Sequence, residues 1–529
     1  MDRLSQTIYV LVADHMSKEG LKPLHDEPSI EVVESSPDQV ESLEKFTALI
    51  VRSATQVDEA LLQRLPNLKI VARAGVGIDN IDLDAATKHG VIVINAPDGN
   101  TISTAEHTFA MMISLARNIP QAYVSVKDRE WNRKAFQGME LRGKTLGIIG
   151  FGRIGSELSK RAAAFQMNVI VFDPFLTPER AKKAGVSLVT FDDLLQEADV
   201  ITVHTPLTKE TKGLLGEKNL AKTKKGVLLL NCARGGIIDE EALRKAIESG
   251  HIRGAALDVF ENEPTDHYEL ISLKEVVATP HIAASTVEAQ ESVASQVSEE
   301  IVHVLQGAPA IHSLNLPAIS EELYDKIKPY YNLTKLMGHF ASQCVKTAVK
   351  HIDVTFSGTI ANEETSVLTR SFMAGFLSPR VDAGVNEVNA GVIAKERGIS
   401  YSEIHSSDAH GYANIVEANI SGTAGEFLVR GTYVDAYGPR IVRINEFNVD
   451  LFPSGHLLYI RHNDQPGVIG EMGQLIGEHG LNIATMQVGR KEEGGDAIMM
   501  LSVDKEVPDA ALRDLLSIDA ILAADLIEL

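Results

Sequence analysis

The chain has 529 residues, too many for one hydrophobic core, so roughly three to four domains are expected. Fifty lysines and arginines against 72 aspartates and glutamates give a formal net charge of -22, which argues against nucleic acid or an acidic membrane as partner. Only Cys232 and Cys344 carry thiols, which excludes a disulfide framework. With no basic-then-apolar leader at residues 1–7 and no membrane-length apolar run, a cytoplasmic protein is expected.

Residues 8–13, 48–51 and 68–72 are apolar runs separated by turns and polar helical stretches such as 58–65, the pattern of a parallel α/β layer. Ligands of open α/β sheets sit beyond the carboxyl ends of strands. Arg52-Ser53, Arg73-Ala-Gly75-Val76-Gly77 and the Asn95-Ala-Pro97 turn would lie there. Capping and turn formation would account for Ser and Gly equally well, but Arg73, closing an apolar strand, favours a ligand. Asn100-Thr-Ile-Ser103-Thr-Ala-Glu106-His107 opens a helix running through Met111 and Leu115 and reads as its capping turn. Trp131-Asn-Arg133-Lys134 reads as a solvated basic turn or a further cationic contact.

The stretch from Leu146 to Gly155 joins a buried strand to three glycines, Gly150, Gly152 and Gly155, at G-x-G-x-x-G spacing, and a helix is expected over 156–165. The first glycine allows the tight turn, the second a close approach to pyrophosphate, and the third helix packing on the strand. A second strand, 169–172, ends in Asp173, where a carboxylate can hold a ribose hydroxyl. Strands at 200–206, 227–231, 255–259 and 276–278, with helices such as 240–249 between them, make a doubly wound sheet of about six strands. Three strand ends carry chemistry: Arg234 after Asn231-Cys232-Ala233, Glu263 in the run from Asp258 to Pro264, and His281 after Thr279-Pro280. Oxidation of a 2-hydroxy acid needs such a set. A His takes the hydroxyl proton, a carboxylate orients the ring and favours its charged form, and an Arg clamps the substrate carboxylate. Taken singly each residue would be structural, and no spacing rule brings the three together.

The glycine loop with Asp173, the Asn231-Cys-Ala-Arg234-Gly-Gly run, Asp258-Val-Phe-x-x-Glu263-Pro and Thr279-Pro-His281 resemble, in order, the signatures of the D-isomer-specific 2-hydroxyacid dehydrogenases. The similarity spans residues 51–316. Ala72-Arg73-Ala-Gly-Val-Gly-Ile-Asp-Asn is similar to the substrate loop of the branch that acts on 3-phosphoglycerate. The resemblance implies His281 as acid/base, Glu263 as its partner and Arg234 as carboxylate ligand. It places Val76, Arg153, Ile154, Asp173, Thr205, Cys232, Ala233 and Asp258 against NAD. Arg52, Ser53, Arg73 and Arg133 become substrate or phosphate contacts. It also implies two Rossmann-like α/β domains, with an NAD-binding unit (100–284) inserted into a substrate-binding unit (1–99 and 285–316). The chain returns through the helix Val287–Leu305, and the active site lies in the cleft between the two.

Residues 315–320 read as a linker. Beyond it, helical stretches at 322–343 and 363–376 and strands at 348–357, 413–417, 423–434 and 440–444 make an α+β domain (317–453) without a catalytic set. Arg440 and Arg443 there are read as surface charge. The final stretch (454–529) has the order βαββαβ, a ferredoxin-like arrangement that resembles an ACT domain. The resemblance implies that such a domain pairs between subunits and holds L-serine at His462, Asp464 and Asn482; a purely structural pairing role is the alternative. The function implied is NAD-dependent oxidation of 3-phospho-D-glycerate to 3-phosphohydroxypyruvate, opening serine biosynthesis, in a homo-oligomer, a tetramer by expectation. A glyoxylate or hydroxypyruvate reductase, or a non-catalytic NAD-sensing corepressor with the same fold, are the alternatives.

Overall fold

The computed structural model describes residues 7–381, 384–423 and 425–529, so the leaderless reading of the opening segment lies almost wholly outside the described residues. Four sheets succeed one another. The first has five parallel strands in the order Ile30–Glu34, Ile8–Val12, Phe46–Val51, Ile70–Arg73, Ile92–Asn95. The second has seven, running Val276–Ala278, Gly254–Leu257, Leu228–Asn231, Val200–Val203, Thr145–Ile149, Asn168–Phe172, Ser187–Leu188, again all parallel. Chain order reverses on the two sides of Thr145–Ile149, so the glycine loop leaves the sheet at its topological switch point.

The chain passes from the first sheet to the second after Asn95 and into helix Thr101–Arg117. It returns through Ala284 and Thr286 into helix Val287–Leu305, whose Val293, Ala294, Val297 and Ile301 are buried against Val10, Val12 and Ile50 of the first sheet. Ser103 and Thr286 hydroxyls meet at 2.8 Å, joining the two crossings. Both sheets therefore turn their strand ends toward one cleft.

The third sheet has six strands, Ser400–Ser406 pairing parallel with Val349–Gly358 and the rest antiparallel through Phe447–Leu451. Helices Glu321–Cys344 and Ser366–Leu377 cover one face at very close approach. A Cβ on Gly338 would stand 2.1 Å from the Phe372 carbonyl oxygen, and one on Gly375 2.1 Å from that of Lys335. The fourth sheet, Ile483–Arg490, Asp496–Val503, His456–Asn463, Ile521–Glu528, is antiparallel and packs two helices on one face. Its other face, through Leu457, Tyr459, Ile498, Met500 and Ile527, joins the core of the third unit. Among the described residues no helix is long and apolar enough to cross a membrane.

Several strands have no apolar run to mark them. Ile30–Glu34 and Ser400–Ser406 are partly exposed sheet edges whose apolar residues are interrupted by polar ones, and Ser187–Leu188 is two residues long. Replacing Gly338 by Val should push apart two backbones that already touch and cost about 1–3 kcal/mol of that unit's stability. Thermal unfolding followed by circular dichroism would show a lower transition for the variant, while Gly473→Ala, which meets nothing, should leave it in place.

Candidate active site

The strand ends of the first two sheets enclose adjoining cavities of about 610 and 520 Å³. Both are lined by Val76, Asp79, Asn100, Arg234, His281 and Ala284. His281 Nδ1 lies 2.7 Å from Glu263 Oε2, and Glu263 Oε1 accepts from the Phe260 N–H at 3.1 Å. With Nδ1–H committed to the carboxylate, Nε2 is the nitrogen left for a ligand. The His281 backbone is left-handed, φ 54, a conformation that costs an imidazole-bearing residue on the order of 1–3 kcal/mol.

Arg234 is placed by the turn before it. Asn231 Oδ1 accepts from Ala233 N at 3.0 Å, and Asn231 Nδ2 donates to the Arg234 carbonyl at 2.8 Å. Gly235 then lets this turn touch the neighbouring one, since a Cβ there would stand 1.8 Å from the Phe260 oxygen. The Arg234 and Glu263 loops are thus packed backbone to backbone. The guanidinium keeps a loose pairing with Asp79, Nε to Oδ2 3.3 Å.

Arg52, Ser53 and Arg73 line the larger cavity with Arg234. The Arg52 turn is tied down by Asp14, which accepts from Arg52 N at 2.5 Å, and by Asn80 Nδ2, which donates to the Arg52 carbonyl at 2.7 Å. Burial, and next the neighbouring Arg234 charge, pull the Arg73 pKa below its ordinary value, and its buried Nε has no partner. A concentration of positive charge with an unpartnered donor is a site for an anion. Arg133 does not join it: the residue is exposed on the short turn Arg133–Phe136 and lines neither cavity. Gln56 and Gln290, which do line the cavity, carried no motif in the sequence.

The smaller cavity has the features of a dinucleotide cradle. Gly152, Arg153, Ile154, Thr205, Cys232, Ala233 and Val76 line it. Gly150 has φ 94 and a Cβ on it would stand 2.6 Å from the His204 carbonyl; one on Gly155 would stand 2.5 Å from the Gly150 oxygen. Helix Arg153–Ala164 has Gly152 as N-cap and no side-chain cap, leaving its first N–H groups for phosphate. Asp173 accepts from Phe151 N at 2.7 Å and Phe175 N at 2.8 Å, which fixes it at the end of its strand with lone pairs to spare.

The Asn100 run is not a capping turn: Asn100 makes no side-chain cap bond, and Asn100 Oδ1 and the Thr101, Thr104 and Thr205 hydroxyls are buried without partners along this cavity. Unsatisfied polar atoms lining a cavity fit a polar nucleotide. Asp258, expected against the cofactor, is 0% exposed and, like Asp173, lines neither cavity. Its oxygens accept from Thr279 Oγ1 at 2.6 Å, Ile282 N at 2.9 Å and Ala283 N at 2.9 Å, so it holds the His281 turn from beneath.

The expected effector residues are not brought together. His462 is 2% exposed, under the helices of the fourth sheet, with Nδ1 on the Asn463 carbonyl at 2.9 Å. Asp464 pairs with Arg490 at 3.1 Å, which holds its carboxyl below the usual range. Asn482 donates to Asp504 at 2.8 Å. Asp464 follows Asn463, the partner of Asp496, whereas Asn482 precedes Ile483, the partner of Val503. The two stand at opposite ends of one strand, roughly 24 Å apart at about 3.4 Å per residue.

Residues 109–283 match the D-isomer specific 2-hydroxyacid dehydrogenase NAD-binding domain, residues 326–445 the D-3-phosphoglycerate dehydrogenase intervening domain, and residues 456–520 the ACT domain. A D-3-phosphoglycerate dehydrogenase of Bacillus subtilis is 57% identical over 98% of this chain and 99% of its own, and one of Archaeoglobus fulgidus 44% identical over 98% and 100%. The chain belongs to the D-3-phosphoglycerate dehydrogenase family. The D-lactate dehydrogenase of Aquifex aeolicus, solved with NAD and lactic acid, is similar over 59% of this chain and all of its own, with TM-score 0.52 and 30% identity. A glyoxylate reductase from Paecilomyes thermophila covers 58% and 98%, with TM-score 0.54 and 30% identity. The two solved enzymes thus share only part of this chain. The cofactor of the family is NAD, and the cradle above fits it.

Cys232 sits in that cradle but is no nucleophile: burial pushes its thiol up to about 12, and Cys344 is pushed up by burial too. Neither should react appreciably with iodoacetamide at pH 8 in the native protein, whereas both should react in denaturant, as mass spectrometry would show.

Proposed function

We propose that this chain oxidises 3-phosphoglycerate at C2 with NAD, and that His281 is its proton acceptor. The observation that carries this reading is the convergence, in one cleft beside the nucleotide cradle, of the His281–Glu263 pair with three guanidinium groups. NAD, when bound, supplies the hydride acceptor. The remaining work belongs to side chains of this protein. His281 Nε2 takes the C2 hydroxyl proton, and Glu263 on Nδ1 keeps the ring oriented and stabilises the imidazolium that forms. Arg234 takes the carboxylate through its planar fork and polarises the C2 oxygen. Arg52 and Arg73, set across the same cavity, receive the phosphate, and Ser53 adds a hydroxyl. Asp173 favours a free ribose hydroxyl over a 2′-phosphate.

The inserted 100–284 unit carries the cofactor, 317–453 is the intervening unit, and 454–529 is regulatory. Because Asp464 and Asn482 stand at opposite ends of the fourth sheet, a serine site using both draws one from each of two copies, consistent with a homo-oligomer. Full-length protein should then bind serine in calorimetry, and Asp464→Ala should weaken that binding without moving the KM for NAD.

NADH formation, followed by absorbance, tests the chemistry directly. His281→Ala should lower kcat about 10²–10⁴-fold. Arg73→Ala should reduce kcat/KM far more for 3-phosphoglycerate than for unphosphorylated glycerate, because only the former loses a charge-assisted bond. Equal losses on both acids would count against the phosphate assignment.

A further inference from the structure

Helix Thr101–Arg117 does more than present hydroxyls to the nucleotide cradle. Its His107, 18% exposed, reaches the strand ends beneath the active site, where Nε2 lies 3.3 Å from Asp258 Oδ1 and 3.3 Å from Thr279 Oγ1. The Thr279 hydroxyl hydrogen is already committed to Asp258 at 2.6 Å, and an ionised carboxylate only accepts. His107 Nε2 is therefore the donor to both. Burial pushes the Asp258 carboxyl up, and the His107 hydrogen bond is the first of the contacts that bring it back below its ordinary value.

Asp258 passes that constraint on. It accepts from the N–H groups of Ile282 and Ala283, the two residues after His281, each at 2.9 Å. A left-handed backbone at a residue such as His281 persists only where its surroundings fix it. One helical turn before His107, Ser103 holds Thr286 at 2.8 Å. One face of a single helix thus grips the turn that carries His281 at both ends, at Thr279 and at Thr286.

We infer that His107 is a positioning residue: by donating to Asp258 and Thr279 it fixes the 279–283 turn, and with it the angle at which His281 meets Glu263 and the substrate hydroxyl. This rests on the role proposed for His281. His107→Phe keeps a ring and removes the donor, and His107→Gln keeps a donor. In the full-length enzyme, His107→Phe should lower kcat with 3-phosphoglycerate about 10–100-fold, the scale set by a small misplacement of a reacting group. Both KM values and the NADH affinity read by fluorescence should stay close to wild type. The isotope effect on kcat with 2-deuterated substrate should grow, and His107→Gln should recover most of the rate. Undiminished kcat in His107→Phe would overturn the positioning role alone, provided His281→Ala is inactive in the same assay. A loss matched by weaker NADH binding and a lower unfolding temperature, and not rescued by Gln, would overturn it as well. Full activity in His281→Ala would remove the role on which the inference stands.

Discussion

Glu263 Oε2 and His281 Nδ1 meet at 2.7 Å, and each comes from a different strand end of the second sheet. Everything nearby serves to keep that contact in register with the cleft. Asp258 secures the turn after His281, the Phe260 N–H fixes the second oxygen of Glu263, and Gly235 lets the Arg234 turn lie against Phe260. The left-handed backbone at His281 is the cost of facing the imidazole into the cleft, and buried hydrogen bonds to a charged acceptor are strong enough to offset it. Loop residues gain their precision here from packed strand ends rather than from the loops themselves.

Electrostatics completes the site. The chain as a whole is acidic, yet Arg52, Arg73 and Arg234 face one cavity, where Asp14, Asp79 and Glu263 are the nearby carboxylates and Glu263 is committed to His281. Asp14 is occupied with the backbone of Arg52 and with Thr55, and Asp79 holds Arg234 loosely at an exposed position. A screened pair of that kind contributes little. A substrate bearing a carboxylate and a phosphate would bring the charges that this cavity is short of, within a protein whose long-range field repels anions.

The parallel layers were legible because their central strands are continuous apolar runs, and the glycine loop because its first and third glycines, Gly150 and Gly155, are required by backbone approaches that the structure shows, while a Cβ on Gly152 would meet nothing. The helix Val287–Leu305 was legible to the residue. Edge strands such as Ile30–Glu34 were not, since half their side chains face water and leave no apolar run. The residues proposed for catalysis were grouped through a resemblance, because side chains 18 and 47 positions from one another reach one cleft only after the sheet is built. The second role of Asp258 was hidden for a related reason: a carboxylate at a strand end points to a ligand in sequence, and its hold on the turn after His281 is set by tertiary packing. The Asn100 run shows the converse, where a plausible cap left its hydroxyls free for the cleft. His462, Asp464 and Asn482 align with an effector site in sequence, and the antiparallel register sets the last two far apart.

The structure of the full-length protein with NAD and 3-phosphoglycerate bound tests these assignments most directly. The C2 oxygen should lie within hydrogen-bond distance of His281 Nε2, the carboxylate on Arg234, and the phosphate on Arg52 and Arg73. A substrate held with its phosphate away from both Arg52 and Arg73, or with C2 out of reach of His281, would contradict them.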